Sequence, residues 1–352
     1  MLSYPCLRCL VACGGARVLF VPTASWNYRL AARLFPVSAI AAGVARRLQA
    51  DKLAGLFQKA ANDGRGKSRP HRVVIPARGS HAPADGTESI LMDPVRGTDR
   101  IVLVMLAYGW DGFEQPMPDV FVALCRRADG TVIDVGANTG WYSLLACAVH
   151  PSLRVLAFEP YPPVAKMLKR NVTVNRRADR IEIRGQAVGR ETGSATLFVP
   201  SNEHGLVETS SSLNPEFKGA ASGVAVDVTT LDEVVRLGKV TNVAIVKVDV
   251  EGFELDVLRG AVQLLRTQRP LMFIEVLPGD TTVHIDQLRA EVGYTDIRLQ
   301  PTAAVIGAEL TFDEDGWNHL LVPDERVAEI ALVLSDIGLT VVVPDYGQDC
   351  EE

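Results

Sequence analysis

From residue 101 onward the chain alternates between short apolar, β-branched runs and longer stretches whose apolar positions recur at helical spacing. Runs at 101–105, 131–135, 153–158, 181–184, 195–199, 224–228, 243–248 and 271–276 have the length and composition of buried strands. Between them, 118–127, 140–149, 163–175, 231–237 and 253–266 follow the helical period; in the first of these Val120, Phe121 and Leu124 share a face. The closing segment, 320–343, offers strand, helix, strand. Near-continuous apolar strands alternating with helices predict an α/β fold: a parallel sheet covered by helices on both faces. This domain is expected over 89–346.

The residues before it read differently. Residues 62–87 lack apolar periodicity and carry Asp63-Gly64-Arg65-Gly66, Pro70, Pro76, Gly79 and Pro83, the composition of a linker. Between 41 and 57 the pattern is helical, with Val44, Leu48, Leu53, Leu56 and Phe57 on one face. Residues 1–88 are therefore expected to be an arm and linker, partly helical and partly disordered. Arg8, Arg17, Arg29, Arg33, Arg46 and Arg47 precede the first acidic residue, Asp51. An Arg-bearing, acid-free start suits an organelle transit peptide, an arm in peripheral contact with a membrane, or unstructured chain.

Composition narrows the function classes. A formal charge of −6 over 352 residues argues against a nucleic-acid binder, which carries a basic excess. No stretch reaches the ~18 apolar residues of a membrane span. Cys6, Cys9, Cys13, Cys125, Cys147 and Cys350 form no disulfide framework, which favours a reducing, cytoplasmic setting. Cys6 and Cys9 make a C-x-x-C with no second pair at zinc-site spacing, so no metal site is expected.

The sharpest chemistry lies at Thr131-Val132-Ile133-Asp134-Val135-Gly136-Ala137-Asn138-Thr139-Gly140-Trp141. A β-branched strand ends in a glycine-bearing turn and a helix opens directly after it. Gly136 and Gly140 let the backbone bend tightly and approach a ligand, and the helix N-terminus favours an anionic group. Glu159, just past the next strand, offers two oxygens to the hydroxyls of a ribose. A dinucleotide fold wants G-x-G-x-x-G, but here Asn138 and Trp141 occupy the second and third glycine positions. Asp134 would also set a negative charge near a diphosphate, whereas beside a sulfonium and an α-ammonium it is favourable. The turn suits a cationic, phosphate-free cofactor.

Further segments complete a resemblance. These are Val246-Lys247-Val248-Asp249-Val250-Glu251-Gly252-Phe253-Glu254, then Val257-Leu258-Arg259-Gly260-Ala261, and Pro270-Leu271-Met272-Phe273-Ile274-Glu275. Smaller echoes are Thr229-Thr230-Leu231-Asp232 and Trp317-Asn318-His319-Leu320-Leu321-Val322-Pro323. With Asp134-Val135-Gly136-Ala137-Asn138-Thr139-Gly140 they resemble, from about 101 to 323, the FkbM family of S-adenosylmethionine-dependent methyltransferases. The resemblance implies a class I, Rossmann-like fold with a mostly parallel seven-stranded sheet. It implies S-adenosylmethionine as methyl donor and a hydroxyl acceptor on a sugar, lipid-linked glycan or natural product. The start of the chain and residues 201–222 match loosely, and the latter are expected to shape the acceptor pocket.

On this reading Asp134, Gly136, Asn138, Gly140, Glu159 and Asp249 hold the cofactor, and Gln186 and Ala187 flank the adenine. Methyl transfer needs alignment of donor and acceptor, and a group to remove the hydroxyl proton. Asp249 and Glu251 follow a strand end, where extended chain would put both carboxylates on one side. One would hold cofactor or acceptor while the other accepts a proton; alternatively Asp249 orients the loop and Glu251 caps the next helix. Glu275 is the further candidate base. Lys247, on a strand expected to be buried, is expected to neutralise one of these acids. His204, with Ser210-Ser211-Ser212, lies in the loop before 224; His204 and His319 read as solvated surface residues. The rival readings are a nicotinamide-dependent oxidoreductase on a similar sheet and a non-catalytic protein that keeps the fold. Isothermal titration is expected to show binding of S-adenosylhomocysteine and none of NAD; the reverse result would make the glycine-turn argument wrong.

Overall fold

In the computed structural model the described residues are 70–83, 88–94, 99–200, 211–214, 222–279, 281–307 and 309–343. The helical stretch expected at 41–57, the basic start of the chain, His204 and Ser210 lie outside them, as do Cys6, Cys9, Cys13 and Cys350. Cys125 and Cys147 are buried free thiols. No helix among the described residues is long and apolar enough to cross a membrane.

Strands β1 (His71–Val74) and β2 (Ser89–Met92) pair as an antiparallel hairpin. This departs from the linker expected over 62–87. A strand of four residues is too short for its periodicity to register, and its partner specifies it instead. The loop between them is tied to the rest of the domain. Arg78 pairs with Asp119 at 2.9 Å, Ser80 donates from both its amide and its hydroxyl to Asp336, and Arg126 pairs with Glu88.

The main sheet contains β3 (Thr131–Val135), β4 (Arg154–Phe158), β5 (Ile181–Arg184), β9 (Val243–Val248), β10 (Leu271–Glu275), β11 (Tyr294–Gln300), β12 (Ala303–Ile306), β13 (Asn318–Pro323) and β14 (Thr340–Val342). Its order is β5-β4-β3-β9-β10-β13-β11-β12-β14. The half from β5 to β10 is parallel throughout, and β13 enters antiparallel to both β10 and β11. This 9-stranded sheet has two strands more than the seven implied by resemblance, because β12 folds back on β11 and β14 extends that edge. A smaller sheet joins β6 (Ala187–Val188), β7 (Gly193–Val199) and β8 (Ser222–Thr229).

The helices are α1 (Arg100–Tyr108), α2 (Met117–Cys125), α3 (Trp141–Val149), α4 (Pro162–Val174), α5 (Leu231–Gly238), α6 (Glu254–Arg259), α7 (Val262–Thr267), α8 (Thr281–Glu291) and α9 (Val327–Asp336). Strand residues alternate between two cores. Val132, Ile245 and Phe273 pack with Phe121, Leu144, Leu168 and Ile330 from α2, α3, α4 and α9. Ile133, Val246 and Met272 pack with Leu231, Val257, Leu264 and Ile285 from α5 to α8. Helices thus cover both faces, as the apolar strands require.

Two expected elements change. The strand expected at 101–105 is part of α1, whose N-cap Asp99 accepts from the Val102 amide. A short apolar run has no periodicity to separate a buried strand from a buried helix, and the cap decides it. The helix expected at 253–266 breaks into α6 and α7 at Gly260, where a side chain would place its Cβ 2.1 Å from the Gly189 carbonyl oxygen.

Register brings the site together. Val135 lies opposite both Phe158 and Val248, and Val248 opposite Ile274. The next residues, Gly136, Glu159, Asp249 and Glu275, therefore meet at one sheet edge. That carboxyl edge is where open α/β sheets hold ligands.

Candidate active site

The turn after β3 carries left-handed backbone at Gly136 (φ 72°), Asn138 (φ 52°) and Gly140 (φ 96°). At Gly136 a side chain would put its Cβ 1.9 Å from the Asp249 carbonyl oxygen, so the β3 and β9 loops touch only because this residue is glycine. The amides of the turn are already used. Those of Gly136 and Ala137 donate to the Phe158 carbonyl, and that of Asn138 donates to Glu159 Oε2 at 3.0 Å. The Thr139 amide donates to Asn138 Oδ1, and that of Gly140 to the Ala137 carbonyl.

Glu159 is buried against this turn and also accepts from the Tyr161 amide at 2.9 Å. Burial raises its carboxyl to about 7 against the pull of those two amides. Each oxygen has accepted one hydrogen bond and keeps capacity for a further donor. At the end of β5, Gly185 borders open space, Gln186 is half-buried, and Ala187 is buried in β6.

Asp134 points inward, not toward the sheet edge. It is 1% exposed, accepts from the Ser143 hydroxyl at 2.6 Å, and lies 4.0 Å from the Lys247 ammonium. Burial raises its proton affinity, and Lys247 and Ser143 oppose that rise. Asp134 thus supports the turn from beneath, through the first turn of α3. Its alternation along β3 puts it on the same face as Val132, and register puts it opposite Lys247.

Lys247 is buried and paired, as its strand position predicts. Its ammonium donates to Asp249 Oδ2 at 3.0 Å and to the Gly136 carbonyl at 3.2 Å, and sits 5.3 Å from the centre of the Tyr142 ring. Burial alone would lower its pKa, but Asp249, Asp134 and Glu114 outweigh that and raise it. It is a permanent cation joining both loops.

The chain past β9 is not extended as expected. Glu251 (φ 55°) and Gly252 (φ 92°) are left-handed, so the loop has already turned at Glu251. Glu254, not Glu251, takes the loop amides: it accepts from Val250 at 3.1 Å and Gly252 at 3.2 Å. Burial raises the Glu254 carboxyl to about 7. The Glu251 carbonyl accepts from the Ser212 hydroxyl at 2.8 Å, which brings Ser212 to the site. At the end of β10, burial and then the charges of Asp249 and Glu251 raise Glu275 well above an ordinary carboxyl, and its Oε2 is buried without a hydrogen-bond partner.

His319 is not a surface residue. It is fully buried on β13, with Nδ1 3.0 Å from Asp296 on β11, because its position in the strand faces the core. Sequence reasoning also missed Glu114. It lies in the turn before α2, and its Oε2 accepts from the Tyr142 hydroxyl at 2.6 Å. Among the described residues no group of acidic, histidine or cysteine side chains has the arrangement of a metal site.

Residues 134–295 match the family model described as the methyltransferase FkbM domain. Over these residues the chain is similar to that domain. Three relatives are similar to the chain. Methyltransferase 1 of Beauveria bassiana is 30% identical over 163 residues, covering 40% of this chain and 64% of that protein. Methyltransferase sdnD of Sordaria araneosa is 29% identical over 154 residues, covering 37% and 59%. Hexuronic acid methyltransferase AglP of Haloferax volcanii is 29% identical over 176 residues, covering 49% and 67%. The matched stretch spans less than two thirds of the length of the first two. The stretch matching the FkbM domain begins within β3 and ends within β11, so Glu114 and the elements before it lie outside that stretch.

Two consequences can be measured. Lys247→Met would leave Asp134 buried without its cation; denaturant melts are expected to show a loss of about 3–5 kcal/mol. Glu275 holds its proton more tightly folded than unfolded, so the native state binds the extra proton and loses stability as pH rises from the ordinary carboxylate range through the folded pKa. Glu275→Gln removes that loss. Its melting temperature is expected to match wild type near pH 4 and to exceed it increasingly toward pH 8; a gap that stays constant with pH would contradict the assignment.

Proposed function

We propose that the chain transfers a methyl group from S-adenosylmethionine to a hydroxyl acceptor on a sugar, glycolipid or natural product. The observation that carries this reading is the state of the turn after β3. The amides of Gly136, Ala137, Asn138, Thr139 and Gly140 are all satisfied inside the protein, so they form no cradle for a diphosphate. What the edge offers instead is acceptors: Glu159, Asp249, Glu251 and Glu275. Such an edge fits a ligand rich in donors and positive charge, which describes a ribose diol, an α-ammonium and a sulfonium. The similarity to the FkbM domain supports the same choice.

S-adenosylmethionine, when bound, supplies an electrophilic methyl carbon on a sulfur that leaves readily. The chain's residues do the rest. Glu159 receives the ribose hydroxyls, and Gln186 and Ala187 border the base beside the open space at Gly185. Gly136, Asn138 and Gly140 shape the turn, and Asp134 holds it from beneath. Asp249 is fixed by Lys247 and faces the aminoacyl end. Glu251 and Glu275 lie on the acceptor side, where Glu251 orients the hydroxyl and Glu275, retaining its proton, donates to an acceptor oxygen. The name of the Haloferax volcanii relative, a hexuronic acid methyltransferase, supports a sugar acceptor.

The test is transfer of labelled methyl from S-adenosylmethionine to a panel of methyl glycosides: a neutral hexose, a hexuronic acid and an amino sugar. A methyl ether is expected as product. Label found only as ester or on nitrogen, or no transfer despite tight S-adenosylhomocysteine binding, would sink the O-methylation reading. Glu251→Gln is expected to lower turnover on the order of 100-fold while S-adenosylhomocysteine affinity is retained.

A further inference from the structure

We propose that Glu114, held by the Tyr142 hydroxyl, is the group that receives the acceptor's proton. This rests on the methyl-transfer reading and adds to it a residue from outside the stretch matching the FkbM domain.

The position is built. Glu114 stands in the turn between α1 and α2 with left-handed backbone (φ 50°), a conformation that side chains other than Asn or Asp seldom adopt. Its Oε2 is engaged by Tyr142, which is buried in the first turn of α3 directly after the glycine turn. The Tyr142 ring in turn carries the Lys247 ammonium on its face. The charged and polar groups that act on Glu114 are Tyr142 from α3, Lys247 from β9, Asp249 and Glu251 from the loop after β9, and Glu275 from β10. Glu114 therefore meets the same edge as Asp249, Glu251 and Glu275.

Four of the neighbouring acids are occupied or unsuited. Asp249 is bound to Lys247. Glu254 takes the amides of Val250 and Gly252, and Glu159 those of Asn138 and Tyr161. Burial and the neighbouring charges raise the Glu275 carboxyl well above the ordinary range, which disfavours the ionised form a base needs. Burial and then the Asp249 charge raise the Glu114 carboxyl to about 7, while Lys247 and the Tyr142 hydrogen bond restrain it. A base poised near the working pH is the efficient one. In the transfer, the acceptor oxygen forms a bond to the methyl carbon and the carbon–sulfur bond breaks with its electron pair left on sulfur. The hydroxyl proton passes to Glu114 and then to solvent after product leaves.

The test uses the full chain with labelled S-adenosylmethionine and the panel glycoside that wild type turns over fastest. Glutamine at position 114 can still accept from Tyr142 but cannot take the proton. Glu114→Gln is expected to lower kcat about 100-fold or more, with KM and S-adenosylhomocysteine affinity little changed. Wild-type kcat is expected to rise with pH through a limb near neutrality. That limb should vanish in Glu114→Gln and persist in Glu251→Gln. In Tyr142→Phe it should move to higher pH, because the lost hydrogen bond had favoured the ionised carboxylate. A Glu114→Gln chain with wild-type kcat, or a limb that vanishes in Glu251→Gln instead, overturns the proposal. If Glu114→Gln does not fold, carbon-13 titration of labelled glutamate carboxyls in wild type and Tyr142→Phe decides: Glu159 and Glu254 titrate in the same range, so the proposal is overturned when no neutral-range titration moves in the phenylalanine variant. A wild-type chain that binds S-adenosylhomocysteine tightly and methylates nothing in the panel rejects the O-methylation reading itself, before any variant is compared.

Discussion

A single buried ammonium holds the working edge of this protein together. Lys247 sits in the middle of the sheet, opposite Asp134, and reaches the Gly136 carbonyl and the Asp249 carboxylate. An ion so deeply desolvated is tolerated only where its partners are fixed around it. That requirement runs both ways. Asp134 needs the cation because it is buried, and the two loops need it because it is what draws them to one point. The contact between them is so close that only glycine fits at 136. Aromatic rings complete the surroundings: Tyr142 lies beneath the ammonium, Phe121 packs edge-on against Tyr142, and Phe273 tilts against Phe121. The charged site and the apolar core are one structure at this place.

The sheet edge sorts ligands by what it lacks. Turns that hold phosphates present unused amides; this one has turned its amides inward, to Phe158, Glu159 and itself. The surplus at the edge is of carboxylates, and burial, reinforced by crowding among them, raises proton affinities instead of creating a uniform negative field. Selectivity between cofactor classes follows from backbone hydrogen bonding as much as from any side chain.

Much of this was legible in the sequence, for identifiable reasons. Strands 131–135 and 243–248 are β-branched, largely apolar and bounded by turn residues, 181–184 alternates isoleucine with charge, and all three form as read. Gly136, Glu159, Asp249 and Glu275 were legible as strand-end residues, and parallel register then places them together. What was not legible depends on contacts distant in sequence. The run at 101–105 becomes helix through the Asp99 cap. β1 forms through pairing with β2. Asp134 reads as a ligand-facing acid until the strand's alternation is fixed by packing. Glu114 carries no local signal at all; only the fold brings it to Tyr142. His319 reads as exposed because a polar residue in a short strand does not disclose that Asp296 faces it from the neighbouring one.

One contact set away from the chemistry changes where the functional unit begins. Arg78, in the loop after β1, pairs with Asp119; Asp119 accepts from the Trp110 indole; and the Trp110 ring lies 5.6 Å from that of Trp141, the first residue of the helix behind the glycine turn. Side chains far upstream of residue 134 are thus the backing on which the turn rests. Excising residues 134–295 as a self-sufficient catalytic module would strip that backing away while leaving the glycine turn, Glu159, Asp249 and Glu275 in the fragment, so the fragment would keep the site residues and lose the shape.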